Sequence, residues 1–228
     1  MGTLRKYNLN KCHCEYFFET GTGLGSSLRH ALHNGNFKKI FSTEIHSDTA
    51  VKAQLLFKKN RDVEIRNENS TIALKKILPT LSKSDSILFF LDAHFPGEVS
   101  EGFNYESNVP NSLTMPLKEE LKLIKLIRPD SDDILIVDDL NLFEDGPFQN
   151  GNIVKNYANI TKKERGLSFV EDIFSDRGIY RDYRDEGYLI IKPLDSSFTL
   201  ENLPTIYRIK RSLIKNANKY LKTRIPER

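Results

Sequence analysis

The chain has 228 residues, 39% of them hydrophobic, which favours one domain with a single sizeable core and excludes overall disorder. Its 34 basic and 31 acidic residues leave a net charge of only +3, so the charge balance alone does not indicate a nucleic-acid-binding protein. No stretch approaches the roughly 18 apolar residues of a membrane span, and residues 1–11 lack the apolar core of a signal peptide. We therefore expect a soluble protein.

The two cysteines, Cys12 and Cys14, are separated only by His13. Cysteines this close cannot cross-link distant parts of a fold, which fits a reducing, cytoplasmic location. Zinc sites usually need four ligands and C-x2-C or wider spacing. We interpret this segment as the approach to a buried strand and assign it no chemistry.

The first strand-like run ends in Glu19 and is followed by a glycine-rich turn and then by a helix over 27–34. Glycine allows a positive φ or the close approach of a ligand. The turn contains Gly21, Gly23 and Gly25. This G-x-G-x-G pattern differs from the G-x-G-x-x-G of dinucleotide-binding proteins and resembles motif I of class I S-adenosylmethionine (SAM) methyltransferases. By itself, the glycine turn is equally compatible with a tight connection between the strand and the helix that binds no ligand.

Strand-like runs alternate with helical stretches, which predicts a doubly wound α/β fold with a mostly parallel sheet. The parallel strands are predicted over 16–18, 39–42, 63–66, 87–91 and 134–137. Two later runs, 179–183 and 188–192, are joined by a short connection that predicts an antiparallel hairpin at the edge of the sheet. The complete prediction is a seven-stranded, Rossmann-like domain over residues 1–200.

Helical stretches between the strands carry apolar residues at helical spacing, and we expect these residues to lie in the core. The three sets are Ala50, Ala53, Leu56 and Phe57; Ile72, Leu74, Ile77 and Leu78; and, in a helix over 117–127, Leu117, Leu121, Ile124 and Leu126. A further helix is predicted over 167–174.

Two long irregular segments, 96–116 and 141–163, follow strand ends where open α/β sheets bind ligands. Loops of this length are usually lids or binding segments, and plain surface insertions are the alternative. Residues 201–228 form a separate basic, amphipathic helical segment in our prediction. We prefer docking of that segment on its own domain, and another subunit, an anionic membrane surface or a polyanion are the alternatives.

Polar residues directly follow the first three strands, and the carboxyl ends of parallel strands share one cleft. Glu19 follows the first strand. Glu44 follows the second, where an acid can accept both ribose hydroxyls of an adenosine-containing ligand. Asn69 and Ser70 follow the third and suit the edge of an adenine ring. These residues predict a nucleoside site.

Three carboxylates follow the next two strands: Asp92 after the fourth, and Asp138 and Asp139 after the fifth. Like charges brought together raise each other's pKa and cost free energy unless a cation offsets them. A hard divalent cation with oxygen ligands, Mg²⁺ as the first choice, explains the cluster economically.

The order and spacing of these residues resemble the metal-dependent class I O-methyltransferases of the catechol and macrolide or sugar type, over about residues 15–192. The resemblance implies that Asp92, Asp138 and Asp139 bind the metal. It implies that SAM is bound by Glu19, Gly21, Gly23, Gly25, Ser27, Glu44, Asn69, Ser70 and Asp92.

The chain departs from this family in two ways. The catechol enzymes have a basic lysine three residues after the strand-four aspartate, where this chain has Phe95. His94 is the nearest replacement, since a neutral imidazole can accept a proton from a hydroxyl near pH 7, so His94 and Asp92 are the predicted catalytic residues. Alternatively, His94 lies behind the metal ligands or only hydrogen-bonds the loop. The second departure is the short segment before the first strand, where relatives carry helices that cover the cofactor.

The predicted function is therefore SAM-dependent, metal-assisted methylation of a hydroxyl group on a small molecule such as a sugar, a phenol or a natural product. RNA ribose methylation that uses the basic C-terminal segment is one alternative, and non-catalytic binding by a SAM fold is another. Methylation of a nucleic-acid base is disfavoured, because the residues after Asp92 are not the Pro-Pro-aromatic motif that holds a flipped base. The acceptor and the oligomeric state, including a homo-oligomer, stay open.

Overall fold

The structure is a computed structural model that describes residues 4–94, 115–152 and 165–203. Within these ranges seven strands form one sheet. They are β1 Tyr16–Thr20, β2 Lys39–Thr43, β3 Val63–Arg66, β4 Ile87–Leu91, β5 Ile134–Val137, β6 Gly178–Asp182 and β7 Tyr188–Lys192. Their order in the sheet is β3-β2-β1-β4-β5-β7-β6.

The pairing confirms the predicted doubly wound, mostly parallel sheet. Strand β1 pairs in parallel with β2 and β4, and β3 and β5 extend the parallel part on either side. Strand β7 is antiparallel to both β5 and β6, which places the predicted hairpin at the edge. The chain leaves β1 toward one side of the sheet and returns at β4 to build the other. This is the topological switch point, where such sheets place their ligand crevice.

Five α-helices are described, and most cover the two faces of the sheet. They are α1 Ser26–Asn34, α2 Ser47–Phe57, α3 Ser70–Ile77, α4 Leu117–Ile127 and α5 Ser168–Ile173. Short 3-10 helices lie at Leu4–Lys6, Leu9–Cys12, Leu78–Thr80 and Leu140–Leu142. The prediction for α4 matches both ends of the helix. No helix in the described ranges is long and apolar enough to cross a bilayer.

The core lies on both faces of the sheet. Successive residues of a strand point to opposite faces, so Phe17 packs in the cluster that includes Leu28 and Phe90, whereas Phe18 packs with Phe89 in the other cluster. Every residue of β4 and β5 is buried, as expected for central parallel strands covered on both faces. This rigid centre fixes the positions of the strand ends that carry the polar residues.

Three residues predicted to lie in the core are instead exposed: Leu56 by 51%, Ile72 by 46% and Leu126 by 77%. An α-helix turns by about 100° per residue, so Leu126 lies about 200° around α4 from the buried Ile124. Leu56, Ile72 and Leu126 were predicted to be buried because their spacing is close to that of a helical stripe. Around the helix axis, however, they lie beside or opposite the buried face. The other members of the three sets are buried.

Several predictions fall mainly outside the described residues. The first long segment, 96–116, is described only at 115 and 116, and the second, 141–163, only over 141–152. Of the basic segment 201–228, only residues 201–203 are described. At the end of the described C-terminal part, Asn202 forms a β-bridge with Tyr7, and the amide of Leu203 donates to the carbonyl of Lys6 at 2.6 Å. The chain thus packs on its own N-terminal segment up to residue 203.

Candidate functional site

The glycine turn after β1 has positive φ values of 82° at Gly21, 48° at Gly23 and 68° at Gly25. A Cβ atom at Gly21 would lie 2.5 Å from the carbonyl oxygen of Asp92, so the turn packs tightly on the end of β4. A Cβ atom at Gly23 would meet nothing within 4 Å. The turn is therefore closed toward the sheet at Gly21 and open at Gly23, as expected for the floor of a ligand site.

Glu19, the last acid of β1, is completely buried beneath this turn. Its carboxylate accepts a hydrogen bond from Ser42 Oγ at 2.6 Å and another from Ser27 Oγ. Burial raises the pKa of Glu19 to about 7, and the two hydroxyls oppose that shift while the charge of Glu44 adds to it. Glu19 is consequently an acid that titrates near neutral pH.

Glu44 joins the glycine turn to the loop after β2. Its Oε2 accepts from the amide of Gly23 and its Oε1 from the amide of His46, both at 2.9 Å. Each carboxylate oxygen has two lone pairs, so both can accept a further hydrogen bond. The predicted ribose acid is thus fixed in place and still able to bind a pair of hydroxyl groups.

The residues predicted to contact adenine begin α3. Asn69 caps this helix, with its Oδ1 accepting from the amide of Thr71 at 2.8 Å, which leaves its amide nitrogen for a ligand. Ser70 is buried beside it. A cavity of about 30 Å³ adjoins both residues. Its other lining residues are Gly21, Thr43, Ile45, Glu68, Ala93 and Pro116.

Backbone hydrogen bonds hold the acids that follow β4 and β5 at the same edge. The amide of Asp92 donates to the carbonyl of Thr20 at 3.1 Å, and the amide of Asp138 donates to the carbonyl of Leu91 at 3.0 Å. The parallel hydrogen-bond ladder thus continues one residue past the ends of β4 and β5. The carboxyl ends of β1, β4 and β5 lie side by side, as predicted.

The three predicted metal ligands affect each other electrostatically. Burial and the neighbouring carboxylates raise the pKa of Asp92 and of Asp138 well above the usual range. Burial, followed by the charge of Glu186, raises the pKa of Asp139 to about 6. The amide of Asp139 donates to Asp138 Oδ1 at 2.9 Å. The cluster gathers unfavourable negative charge that a cation would offset.

These oxygen donors have the chemistry that Mg²⁺ prefers. In the ranges 4–94, 115–152 and 165–203, however, no three His, Cys, Asp or Glu side chains are arranged to hold a metal ion. The described side chains therefore do not form a set of metal ligands. Metal binding by Asp92, Asp138 and Asp139 stays a prediction.

His94, the predicted base, is buried with its ring edge-on to Phe143, the ring centres 5.3 Å apart. Within the described part of the chain, neither ring nitrogen makes a hydrogen bond of normal geometry. Burial lowers the pKa of His94 to about 4, a shift that the nearby backbone of Asp138 and Leu91 only partly offsets. The imidazole is neutral at pH 7, the form that accepts a proton.

Glu120 is a buried acid that the sequence analysis missed. It lies on α4 with no exposed surface, and its carboxylate makes no hydrogen bond of normal geometry with the residues described. Burial raises its pKa to about 7, and the hydroxyls of Ser70 and Thr20 oppose the shift. Its position between Leu117 and Ile124 on the apolar stripe was the available signal, because an acid in a core-facing position is unusual.

Glu186, also missed, lies in the turn between β6 and β7. Its carboxylate accepts from Asn150 Nδ2 at 3.1 Å, and its charge raises the pKa of Asp138 and of Asp139. No local pattern indicates this acid. It joins the cluster only because β7 runs antiparallel to β5, which brings the hairpin turn to the carboxyl end of β5.

Known proteins match this chain in structure but not in sequence: no family model and no curated protein matches it. A Staphylococcus aureus protein assigned as a caffeoyl-CoA O-methyltransferase is 14% identical, with a TM-score of 0.54 over 81% of this chain and 78% of that one. The chain has the class I methyltransferase fold. A Corynebacterium glutamicum protein is 11% identical, with a TM-score of 0.50 over 86% of this chain and 79% of that one.

The class I methyltransferase fold was the fold predicted from the motifs, and the structural likeness confirms it. At these identities the likeness shows the fold alone. The roles of Glu19, Glu44, Asp92 and His94 therefore depend on the geometry of this chain.

We predict that Glu120→Gln makes the protein more stable at pH 8 than the wild type. The folded state binds the Glu120 proton up to about pH 7, whereas the unfolded chain releases it near pH 4.5. Wild-type stability therefore falls as the pH rises through this window. A neutral glutamine avoids the cost, which amounts to about 3 kcal/mol above pH 7 for a shift of this size.

The measurement is urea unfolding at pH 5 and pH 8, with the exposed Glu119→Gln on the same helix as the control. The gain of Glu120→Gln over the wild type should be small at pH 5 and near its maximum at pH 8. An equal effect at both pH values would contradict the burial of an ionisable Glu120.

Proposed function

We propose that the protein is a SAM-dependent methyltransferase that methylates a hydroxyl group of a small molecule. The observation that carries the proposal is the hydrogen bond from Gly23 to Glu44 above the buried Glu19. This hydrogen bond joins the glycine turn to Glu44, the predicted ribose-binding acid. Together they form one wall of a crevice at the switch point of a class I methyltransferase fold.

The charges of this crevice fit SAM. The ligand carries a positive sulfonium, and Glu19, Glu44 and Asp92 lie where its methionine and ribose parts would be placed. A bound cation would favour the ionised forms of Glu19 and Asp92. Glu44 retains lone pairs for the ribose hydroxyls, and Asn69 retains its amide nitrogen for the base. When bound, SAM supplies an electrophilic methyl group. The residues of the chain orient it and keep water away from the methyl group.

His94 is the proposed base. A neutral imidazole can take the proton of the acceptor hydroxyl while the oxygen attacks the methyl carbon in line with the leaving sulfur. Burial favours the neutral form of His94, and its two buried ring nitrogens make no hydrogen bond of normal geometry with the residues described. Asp92, the other predicted catalytic residue, lies at the end of β4 against the glycine turn.

Assistance by Mg²⁺ is a separate part of the proposal. The raised pKa values of Asp92, Asp138 and Asp139 support it, because a cation bound among buried carboxylates would favour their ionised forms. The described ligand geometry does not support it, and no catalytic step above depends on a metal ion.

The first test of the SAM site compares Gly23→Ala with Gly151→Ala. Both glycines have positive φ, and a Cβ atom at either would meet nothing within 4 Å, so both variants should fold with a similar backbone penalty of about 1 kcal/mol. Only the methyl group at position 23 would enter the proposed cofactor crevice. We expect Gly23→Ala alone to weaken SAM binding, by tenfold or more.

Thermal shift and calorimetry with SAM and with its demethylated product give the measurement. For the wild type, ligand at about 100 times its dissociation constant should add about 2.7 kcal/mol of stability. Equal affinities for the two alanine variants, or the absence of any shift with the wild type, would overturn the cofactor assignment.

Binding of SAM should strengthen as the pH rises from 6 to 8. Glu19 is mostly protonated at pH 6 and mostly ionised at pH 8, and a cationic ligand favours the ionised form. For a pKa of about 7, the ionised fraction rises about tenfold over this range, and the affinity should follow it. Glu19→Gln should bind more weakly and show a flatter profile in calorimetry, with Glu64→Gln, a partly exposed acid on β3, as control.

Catalysis is tested with radiolabelled SAM and panels of sugars, phenols and RNA, with and without Mg²⁺. We expect transfer to a small-molecule hydroxyl, with His94→Gln lowering kcat by about 10² or more. Loss of activity in Asp138→Asn together with rescue of the EDTA-treated wild type by Mg²⁺ would support metal assistance. Transfer to RNA, or SAM binding without transfer to any acceptor, would establish one of the two alternative functions instead.

A further inference from the structure

A second cleft, of about 860 Å³, lies at the amino ends of β1 and β2, the edge of the sheet opposite the glycine turn. Its lining includes Cys12, His13 and Cys14, together with the exposed cation Lys38. Neither this cleft nor its cysteines take part in the proposed methyl transfer.

The two cysteine side chains lie on one tight turn. The 3-10 helix Leu9–Cys12 ends at His13, which has the left-handed conformation with φ of 54° and ψ of 25°. This turns the chain so that the amide of Cys14 donates to Cys12 Sγ at 3.4 Å, and Cys14 Sγ donates to the carbonyl of Cys12 at 3.6 Å. The local geometry therefore places both thiols on the same side of a three-residue turn.

The two thiols differ in exposure and in acidity. Cys12 is partly exposed at the cleft, whereas Cys14 is 5% exposed. The neighbouring Cys14 thiol lowers the pKa of Cys12 against the effect of burial, and Cys12 together with burial raises the pKa of Cys14. Cys12 is therefore the thiol suited to attack. Cys14 lies next to it, and the Cys12 thiol that helps to keep Cys14 protonated is consumed when Cys12 enters a mixed disulfide.

We propose that Cys12 and Cys14 form a reversible thiol–disulfide exchange site for small disulfides of the glutathione class. The Cys12 thiolate attacks one sulfur of the small disulfide, whose S–S bond breaks and releases one thiolate. Cys14 loses its proton to solvent and attacks Cys12 Sγ in the mixed disulfide, which releases the second thiolate. The protein dithiol is oxidised by two electrons, and the small disulfide is reduced to two thiols.

The backbone around Cys12 and Cys14 makes formation of the disulfide between them depend on the conformation of His13. Immediately after Cys14, the amides of Glu15 and Tyr16 both donate to the carbonyl of Ser86, at 3.0 and 3.2 Å. The start of β1 is thus anchored to the segment before β4 and cannot move far. Closure has to use the left-handed turn at His13, a conformation that glycine tolerates and a β-branched residue disfavours.

The experiment treats the full folded chain with glutathione disulfide, blocks free thiols by alkylation and measures the intact mass and the peptide map. The wild type should lose both alkylatable thiols, with no attached glutathione, and regain both on reduction. Cys14→Ser should keep one glutathione on Cys12. Cys12→Ser should react at least tenfold more slowly, because Cys14 is buried.

A matched pair of variants tests the turn. His13→Gly should close the Cys12–Cys14 bond at about the wild-type rate, whereas His13→Val should accumulate the mixed disulfide on Cys12 because only the second step is slowed. Circular dichroism and thermal melting verify that each variant is folded. These outcomes do not depend on SAM, so they stand apart from the methyltransferase proposal.

Three outcomes would overturn the proposal. The wild type could stop at a stable glutathione adduct, form a bond between two chains, or react only in denaturant. Each would show that Cys12 and Cys14 do not form an exchange site in the folded protein.

Discussion

The candidate site depends on the contact between Gly21 and the carbonyl oxygen of Asp92, where a Cβ atom would lie only 2.5 Å away. Because no side chain fits there, the turn after β1 can lie directly on the end of β4. The amide of Gly21 also donates to the carbonyl of Thr43 at 3.0 Å, which binds the same turn to the end of β2. Three strand ends are thus held together, and the acids that follow them must share one crevice.

This convergence has an electrostatic cost. Burial raises the pKa of both Glu19 and Glu120 to about 7, and it raises the pKa of Asp92 further with help from neighbouring acids. A protein optimised only for stability would not bury several carboxyl groups at one edge of its sheet. Such clusters of perturbed acids are typical of functional sites, where a ligand compensates for the cost.

The parts of the site that follow from parallel strands could be predicted from the sequence. Glu44, Asp92 and Asp138 each come directly after a buried run, and the topology alone brings such positions together. Glu120 and Glu186 could not be placed in this way. The first reaches the site because one face of a helix packs toward it, and the second because a hairpin runs antiparallel at the sheet edge. The exposure of Leu126 has a similar cause, since spacing alone does not determine which face of a helix meets the sheet.

The same physics bears on whether the acids need a metal ion. The sulfonium of SAM and a divalent cation would each offset the repulsion among the carboxylates, but at different places. The sulfonium would lie near Glu19 and the glycine turn, whereas a metal would lie near Asp138 and Asp139. Burial and the charge of Glu186 raise the pKa of both aspartates, and Asp139 also raises the pKa of Asp138. In the proposed complex, SAM would therefore compensate only the β1 side of the crevice. The excess charge on the β5 side has to be neutralised separately, by protonation, by a metal ion or by a cationic group of the acceptor.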